Sequence, residues 1–208
     1  MTDTYFALPR ATRPADWFGR ILPGLPLRLP PISLSHSAVF HITGPVGGTW
    51  TQQLLAGRLV VSPGVVGPVA TQTTVTAAHF RELLFGAVRD RHVQVLHKLG
   101  LPVAIPDVSR VPVDPARVAA LANLRGTLAI DLYDRHLDDT YRIAITFGGG
   151  PTAHAAPDTV VETDLDDLAT LVAARTPPLQ LLTSGKLRIR GDADLPVRAL
   201  TTALGRTA

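Results

Sequence analysis

The sequence contains no cysteine among its 208 residues. Disulfide bridges and thiolate chemistry are therefore excluded, and nothing in the composition indicates an oxidising compartment. Aromatic residues make up only 5% of the chain, so its core must be built mainly from Leu, Val, Ile and Ala. Hydrophobic residues nevertheless reach 46% and charged residues 18%, a balance that supports a sizeable core and argues against disorder.

Long hydrophobic runs and a strong excess of one charge are missing as well. No stretch approaches the ~18 uninterrupted apolar residues that a membrane-spanning helix needs. Residues 1–17 lack the pattern of a signal peptide, so we expect a cytoplasmic protein. The formal net charge is only +3, and the basic residues do not cluster with aromatic ones. Because nucleic-acid-binding proteins usually show such a cluster, nucleic acid is not an expected partner.

Prolines gather in two places and divide the chain. In the first group, Pro14 can open a short helix that places four apolar residues on one face, namely Trp17, Phe18, Ile21 and Leu22. The second group, between residues 102 and 115, indicates a linker. The sequence therefore predicts four parts: a proline-rich arm over residues 1–36, a first half over 37–105, a linker over 106–113 and a second half over 114–208.

After the linker, the sequence alternates between helix and strand patterns. Asp114 followed by Pro115 predicts the start of a helix, because Asp is a good N-cap and Pro suits the first helical position. Alternating apolar residues predict a hairpin over residues 128–145 and a further strand over 159–163. Helical spacing resumes after Asp164. This order predicts an α+β fold with a mainly antiparallel sheet covered by helices.

The first half can be aligned on the second. One constant shift places Thr76 and Phe80 on Asp164 and Leu168, and the order of strand and helix patterns then agrees. Few residues are identical, and the alternative is that any two strand-then-helix segments would align comparably. We favour an internal repeat, which predicts two similar halves packed as a pseudo-dimer within one chain.

One stretch of the second half is similar to a family signature. Residues 184–192 read Ser-Gly-Lys-Leu-Arg-Ile-Arg-Gly-Asp, which resembles the closing Gly-Lys-Leu-x-Ile-x-Gly-Asp of the sterol carrier protein 2 (SCP2) family. Residues 158–163, followed by a capped helix, resemble the family's strand-to-helix step. The family commonly has glycine just after that helix. The second half departs from this with Ala174 and Arg175, whereas the first half keeps Gly86 and resembles the family weakly.

The resemblance implies a twisted sheet with helices on one face and an apolar tunnel between them. It predicts binding of a hydrophobic small molecule, such as a lipid, an acyl chain, a sterol or a polyketide-like intermediate. Biosynthetic enzymes are the expected partners, because some relatives hold intermediates for other enzymes, and no cofactor is expected. The residues predicted to line the cavity are Phe40, Trp50, Phe80 and Leu84 in the first half and Tyr141, Phe147, Leu168 and Leu182 in the second.

The alternative function is that of a cofactor-independent cyclase or isomerase. A polar group that faces an apolar cavity has a shifted pKa and can move a proton. The candidates are Asp131, Tyr133, Tyr141 and His154. Strand alternation places the first two on one side of their strand, where solvent exposure is the simpler interpretation. The seven histidines lack the spacing of a metal site, and no nucleophile motif is present.

Overall fold

A single continuous sheet of eight strands forms the centre of the fold in the computed structural model. The structure describes residues 8–27, 29–98, 114–150, 156–172 and 178–204. The strands are β1 (Ser37–Thr43), β2 (Gly48–Leu55), β3 (Arg58–Pro63), β4 (Val69–Thr76), β5 (Thr127–Asp134), β6 (Asp139–Phe147), β7 (Thr159–Asp164) and β8 (Leu187–Gly191).

The helices flank this sheet and begin in the N-terminal arm. Three short turns of helix follow one another there: the α-helical α1 (Pro14–Asp16), a π-helical turn (Trp17–Ile21) and a 3-10 turn (Leu22–Gly24), which we together name the arm helix. The remaining helices are α2 (Ala77–Phe85), α3 (Ala87–Lys98), α4 (Pro115–Asn123), α5 (Leu165–Val172), α6 (Pro178–Thr183) and α7 (Asp194–Leu204).

The strands lie in the order β3-β2-β1-β4-β6-β5-β7-β8. The pairs β1–β4 and β5–β7 are parallel, and the other five pairings are antiparallel. The mainly antiparallel α+β fold predicted from the sequence is therefore confirmed. The trio β2-β1-β4 has the same order and pairing directions as the trio β6-β5-β7, and β4 pairs with β6 so that the two halves share one sheet.

One face of the sheet is apolar and carries the helices. Partners in register point to the same side, so this face can be followed from strand to strand. Phe40 is paired with Trp50 and Thr73, and two residues further along Ile42 is paired with Val75. The core clusters built on this face also contain residues of the arm helix, α2, α3, α4, α5 and α7. We call this side the apolar face.

The opposite, polar face is contacted by residues 64–68, which precede β4, and by residues 148–150, which follow β6. In the segment that follows β3 in the chain, the carbonyl oxygen of Pro68 accepts from Oγ of the buried Ser37 at 3.0 Å. The carbonyl oxygen of Gly64 accepts from Thr51 Oγ1 at 2.6 Å. Behind β6, Gln72 Nε2 donates to the carbonyl oxygen of Gly150 at 2.6 Å. Side-chain hydrogen bonds thus hold both of these segments against the sheet.

An ionic contact ties the first half to the second. Arg91 of α3 contacts the carboxylate of Asp134, at the end of β5, and donates to Asp166 Oδ2 at 2.8 Å, at the start of α5. The Asp134 side chain is fully buried, and its Oδ1 also accepts from the backbone N–H groups of His136 and Leu137. Packing of α3 against the second half therefore depends on a buried carboxylate and its cation.

Candidate functional site

The four residues predicted as acid–base candidates do not form one group. Asp131 lies on the polar face, where Arg142 donates to both of its carboxylate oxygens at 2.7 and 2.6 Å. Tyr133 lies on the same face, is 41% exposed and donates to Asp138 Oδ1 at 2.8 Å. Tyr141 is on the opposite face, and His154 lies outside the described residues. The described members of this set thus form no shared acid–base centre. Tyr133 is exposed, as strand alternation indicated, whereas the Asp131 side chain is only 12% exposed.

Tyr141 is one of the polar side chains on the apolar face, and the buried Thr163, in register with Leu132, is another. Tyr141 is buried with Leu132, Val88 and Leu165. Burial, followed by nearby carboxylates such as that of Asp139, raises the pKa of Tyr141 to about 12. The phenol therefore stays neutral at physiological pH, and its hydroxyl group interacts with the Asp139 carboxylate.

The four predicted wall residues of the first half do come together. Phe40, Trp50, Phe80 and Leu84 belong to one cluster on the apolar face. The sequence did not predict that the arm helix joins this cluster. Trp17 and Phe18 are buried in it, and Phe18 is 1% exposed. The only sequence signal for this was the apolar face of the predicted helix after Pro14.

The predicted walls of the second half are divided between two clusters. Tyr141 and Leu168 pack in the first, and Phe147 packs with Leu195 and Ala199 in the second. Leu182 of α6 is 38% exposed. Between the clusters, four β-branched residues of β5, β6 and β7 remain only partly buried, although they lie on interior strands of the sheet. We name them the central patch: Ile130, Ile143, Ile145 and Val161.

The register confirms that the central patch is continuous. Ile130 is paired with Ile143 on β6 and with Val161 on β7, so these side chains are neighbours on the apolar face. Ile130 packs against both clusters, which places it at their junction. Sequence periodicity assigned Ile130 and Ile143 to strands, but it could not show that helices leave them partly uncovered.

The helices that precede the two hairpins differ in how far they close the sheet. In the arm helix, Pro14, Trp17 and Phe18 are buried. In α4, which precedes the hairpin of the second half, none of the nine residues is buried. Only Leu121 and Leu124 reach the second-half core from this segment, and both remain partly buried. Buried aromatic rings of the arm helix thus close the first half, whereas α4 adds only partly buried side chains to the second half.

The signature-like segment has structural contacts. Lys186 Nζ donates to Asp167 Oδ1 at 2.8 Å, which links the start of β8 to α5. Gly191 has φ +90°, and a Cβ at that position would lie 2.1 Å from the carbonyl oxygen of Asp158. The Asp192 N–H donates to the same oxygen at 3.0 Å. Glycine at this position therefore permits the close turn that leads into α7.

Two clefts lie away from the central patch and are lined mainly by polar and charged residues. One of about 570 Å³ lies beside β5, β7 and β8 and includes Asp131, Glu162 and Arg188. One of about 470 Å³ lies beside α3 and includes Arg91 and His136. Among the described residues, no three metal-ligating side chains come together. No helix in the described part of the chain has the length and apolar character needed to cross a membrane.

Residues 108–199 match the model of the SCP-2 sterol transfer family. The match covers the second half from the residues before α4 into α7, so the resemblance predicted from the sequence is confirmed there. For the first half it stays a prediction. A search of curated proteins found no match.

Solved structures similar to the chain are sterol carrier proteins. The sterol carrier protein domain 2 of Helicoverpa armigera is 14% identical, with a TM-score of 0.33, covering 58% of this chain and 91% of that one. Sterol Carrier Protein 2 Like 2 of Aedes aegypti is 17% identical, with a TM-score of 0.32, covering 53% and 92%. Sterol Carrier Protein 2 of Yarrowia lipolytica, in its apo form, is 16% identical, with a TM-score of 0.29, covering 36% and 68%.

Proposed function

We propose that this protein binds an apolar small molecule at the central patch of its second half. The observation that carries the proposal is the incomplete burial of Ile130, Ile143, Ile145 and Val161, which lie on interior strands between two core clusters. Partly exposed β-branched side chains on interior strands are a surface that an apolar ligand can cover. The family match over residues 108–199 supports the proposal, because it spans the elements that frame the patch.

The ligand is a lipid, an acyl chain or a sterol held by burial of apolar surface. Covering ~200 Å² of ligand surface contributes about 5 kcal/mol before the cost of association. Micromolar binding needs about 8 kcal/mol net, so a larger area of the ligand must be covered. Tyr141, at the edge of the patch, is a neutral donor that a ligand oxygen would have to share with the Asp139 carboxylate. Biosynthetic enzymes as partners and a cytoplasmic location belong to this proposal and depend on it.

The division of the chain into an arm, two halves and a linker is part of the proposal. The shared strand order of the trios β2-β1-β4 and β6-β5-β7 supports an internal repeat. The predicted linker over 106–113 lies outside the described residues. In this scheme the two copies have diverged, because aromatic side chains close the first and the second keeps its patch partly open.

The binding test uses two neighbouring valines of β7. Val161 belongs to the patch, and Val160 has its side chain on the polar face of the same strand. Both are partly buried, so they form a matched pair. In titrations with cis-parinaric acid, a naturally fluorescent fatty acid, Val161→Asn should weaken binding about tenfold, and Val160→Asn should change it less than about twofold.

An extrinsic probe is necessary because both tryptophans, Trp17 and Trp50, pack in the first-half cluster. Trp50, predicted from the sequence to line the cavity, would not respond to binding in the second half. Equal weakening by the two valine variants would contradict the assignment to the apolar face. Absence of saturable binding by the unmodified protein to cis-parinaric acid and to a fluorescent sterol would overturn the proposed function.

A further inference from the structure

The ring of Phe18 is surrounded by three aromatic rings of the first half. Trp50 lies nearly parallel to it, with ring centroids 4.7 Å apart and planes at 13°. Phe40 is 5.4 Å away, and Phe80 of α2 is 5.6 Å away at 27°. We name these three residues the aromatic slot. Two of the three contacts are stacked, so the slot has the geometry of a site for one flat ring.

The side chain that fills the slot belongs to the arm. The π-helical turn that carries Phe18 is a rare local geometry that occurs frequently at functional sites. One tie between the arm and the body is the ion pair of Arg10 with Asp90, in which the Arg10 side chain is 68% exposed. Such exposed pairs contribute little to stability. Arg89 also donates to the carbonyl oxygen of Leu8 at 3.2 Å. The contacts of the Phe18 ring itself are apolar, and another apolar group can replace them.

The slot also reaches the protein surface while the arm is in place. Phe40 and Trp50 remain partly exposed, although Phe18 between them is buried. The cluster around the slot consists of apolar residues, among them Ile42, Val61 and Val75. An incoming ring would therefore meet aromatic faces and aliphatic walls, and a ligand with a charge on the ring would lose hydration without compensation.

We propose that the aromatic slot is a second binding site, selective for a planar, uncharged aromatic ring, and that Phe18 occupies it in this structure. The site lies in the first half and takes a ring, so it is separate from the apolar-ligand patch of the second half. Flatness is the basis of selectivity, because a ring between Trp50 and Phe80 must lie close to both faces. A puckered ring of the same size cannot stack in this way.

The first experiment compares phenol with cyclohexanol, which differ in planarity and share a hydroxyl group. Calorimetric titrations are made on the unmodified protein and on Phe18→Ala. The variant should bind phenol about tenfold more tightly than the unmodified protein does, because the competing ring is gone. It should also prefer phenol over cyclohexanol by about three- to tenfold, the range expected for stacked aromatic pairs.

The matched control is Phe85→Ala. Phe85 is equally buried, but its ring meets Trp17 and Phe80 edge-on, at 62° and 74°. Its removal creates an apolar cavity without parallel rings, so this variant should not prefer phenol. If Phe85→Ala shows the same preference, or Phe18→Ala binds both alcohols equally, the slot is only a part of the core and the proposal is overturned.

A second measurement uses the unmodified protein and does not depend on the folding of Phe18→Ala. Trypsin can cut after Arg20, next to the slot-filling residue, and docking of the arm should slow this cut. Phenol should accelerate cleavage at Arg20 severalfold, whereas cyclohexanol at equal concentration should not. An unchanged rate with phenol would overturn the proposal. If Phe18→Ala does not fold, Phe18→Leu removes the stacked ring and leaves a side chain that a planar ring can displace, so it should still prefer phenol over cyclohexanol.

Discussion

Replacement of Arg91 by alanine should be among the most destabilising single changes at the junction of the two halves. Arg91 is 17% exposed and contacts the fully buried carboxylate of Asp134. Without it, that charge keeps only the backbone N–H groups of His136 and Leu137, and its other oxygen, Oδ2, already has no hydrogen-bond partner. Breaking a buried pair by removing one partner costs about 3–5 kcal/mol. This is a large share of the roughly 5–15 kcal/mol that stabilise a typical domain.

Urea denaturation with and without the substitution measures this cost, and Arg10→Ala is the control. Arg10 also pairs with an aspartate, but it is 68% exposed, so its loss should cost about 0–1 kcal/mol. Asp134→Asn removes the stranded charge and keeps an oxygen for the two backbone donors. Combined with Arg91→Ala, it should recover at least about 1 kcal/mol. Equal losses in the free energy of unfolding for Arg91→Ala and Arg10→Ala would refute the reasoning. A loss in the double variant larger than the sum of the losses in the two single variants would refute it as well.

Three further predictions concern local chemistry. Burial lowers the pKa of His92, so the unfolded chain binds a proton at higher pH than the folded chain does. Stability should therefore fall as the pH drops from about 6.5 through the lowered pKa. In urea titrations at several pH values His92→Gln should reduce this fall, and an unchanged dependence of stability on pH would contradict the prediction. Gly191→Ala should destabilise the protein clearly more than Gly185→Ala does. Gly185 has φ +70° and open space around it, so its substitution should cost about 1 kcal/mol in thermal denaturation. Equal costs for the two variants would mean that the turn at Gly191 relaxes. Gln72→Leu should lower the free energy of unfolding by about 1–3 kcal/mol, because Gly150 and His41 lose their hydrogen-bond partner. Gln53→Leu, on the same face of the sheet, should cost less. The reverse order would show that other contacts hold residues 148–150.

Local elements could be predicted from the sequence because their causes are local. Asp114 caps α4 by accepting from the backbone N–H of Ala116 at 2.9 Å, as the Asp-Pro pair predicted. Thr76 caps α2 in the same way, through the N–H of His79 at 3.1 Å. Alternation of apolar residues also assigned the correct face to Ile130. Each of these features depends on residues within a few positions of one another.

Contacts between distant segments could not be predicted in the same way. Phe18 lies far in sequence from Trp50 and Phe80, and nothing in the period of either segment specifies that they stack. The same holds for the pairing of Val75 with Ile143, which joins the halves. Periodicity identifies which side of an element is apolar, but the partner of that side is fixed by the whole fold. The candidate site was affected most, because it depends on which helix covers which strand.

The shared sheet explains how a partly open apolar patch can be maintained. Without the first half, β6 would be an edge strand with Ile143 and Ile145 beside an unpaired backbone, an arrangement that favours pairing with other chains. In the whole chain, β4 covers that edge in register from Val75 to Thr71. The first-half cluster, closed by Trp17 and Phe18, adds buried apolar surface next to it. Stability supplied by a closed half thus allows its neighbour to keep Ile130 and Val161 available to a ligand.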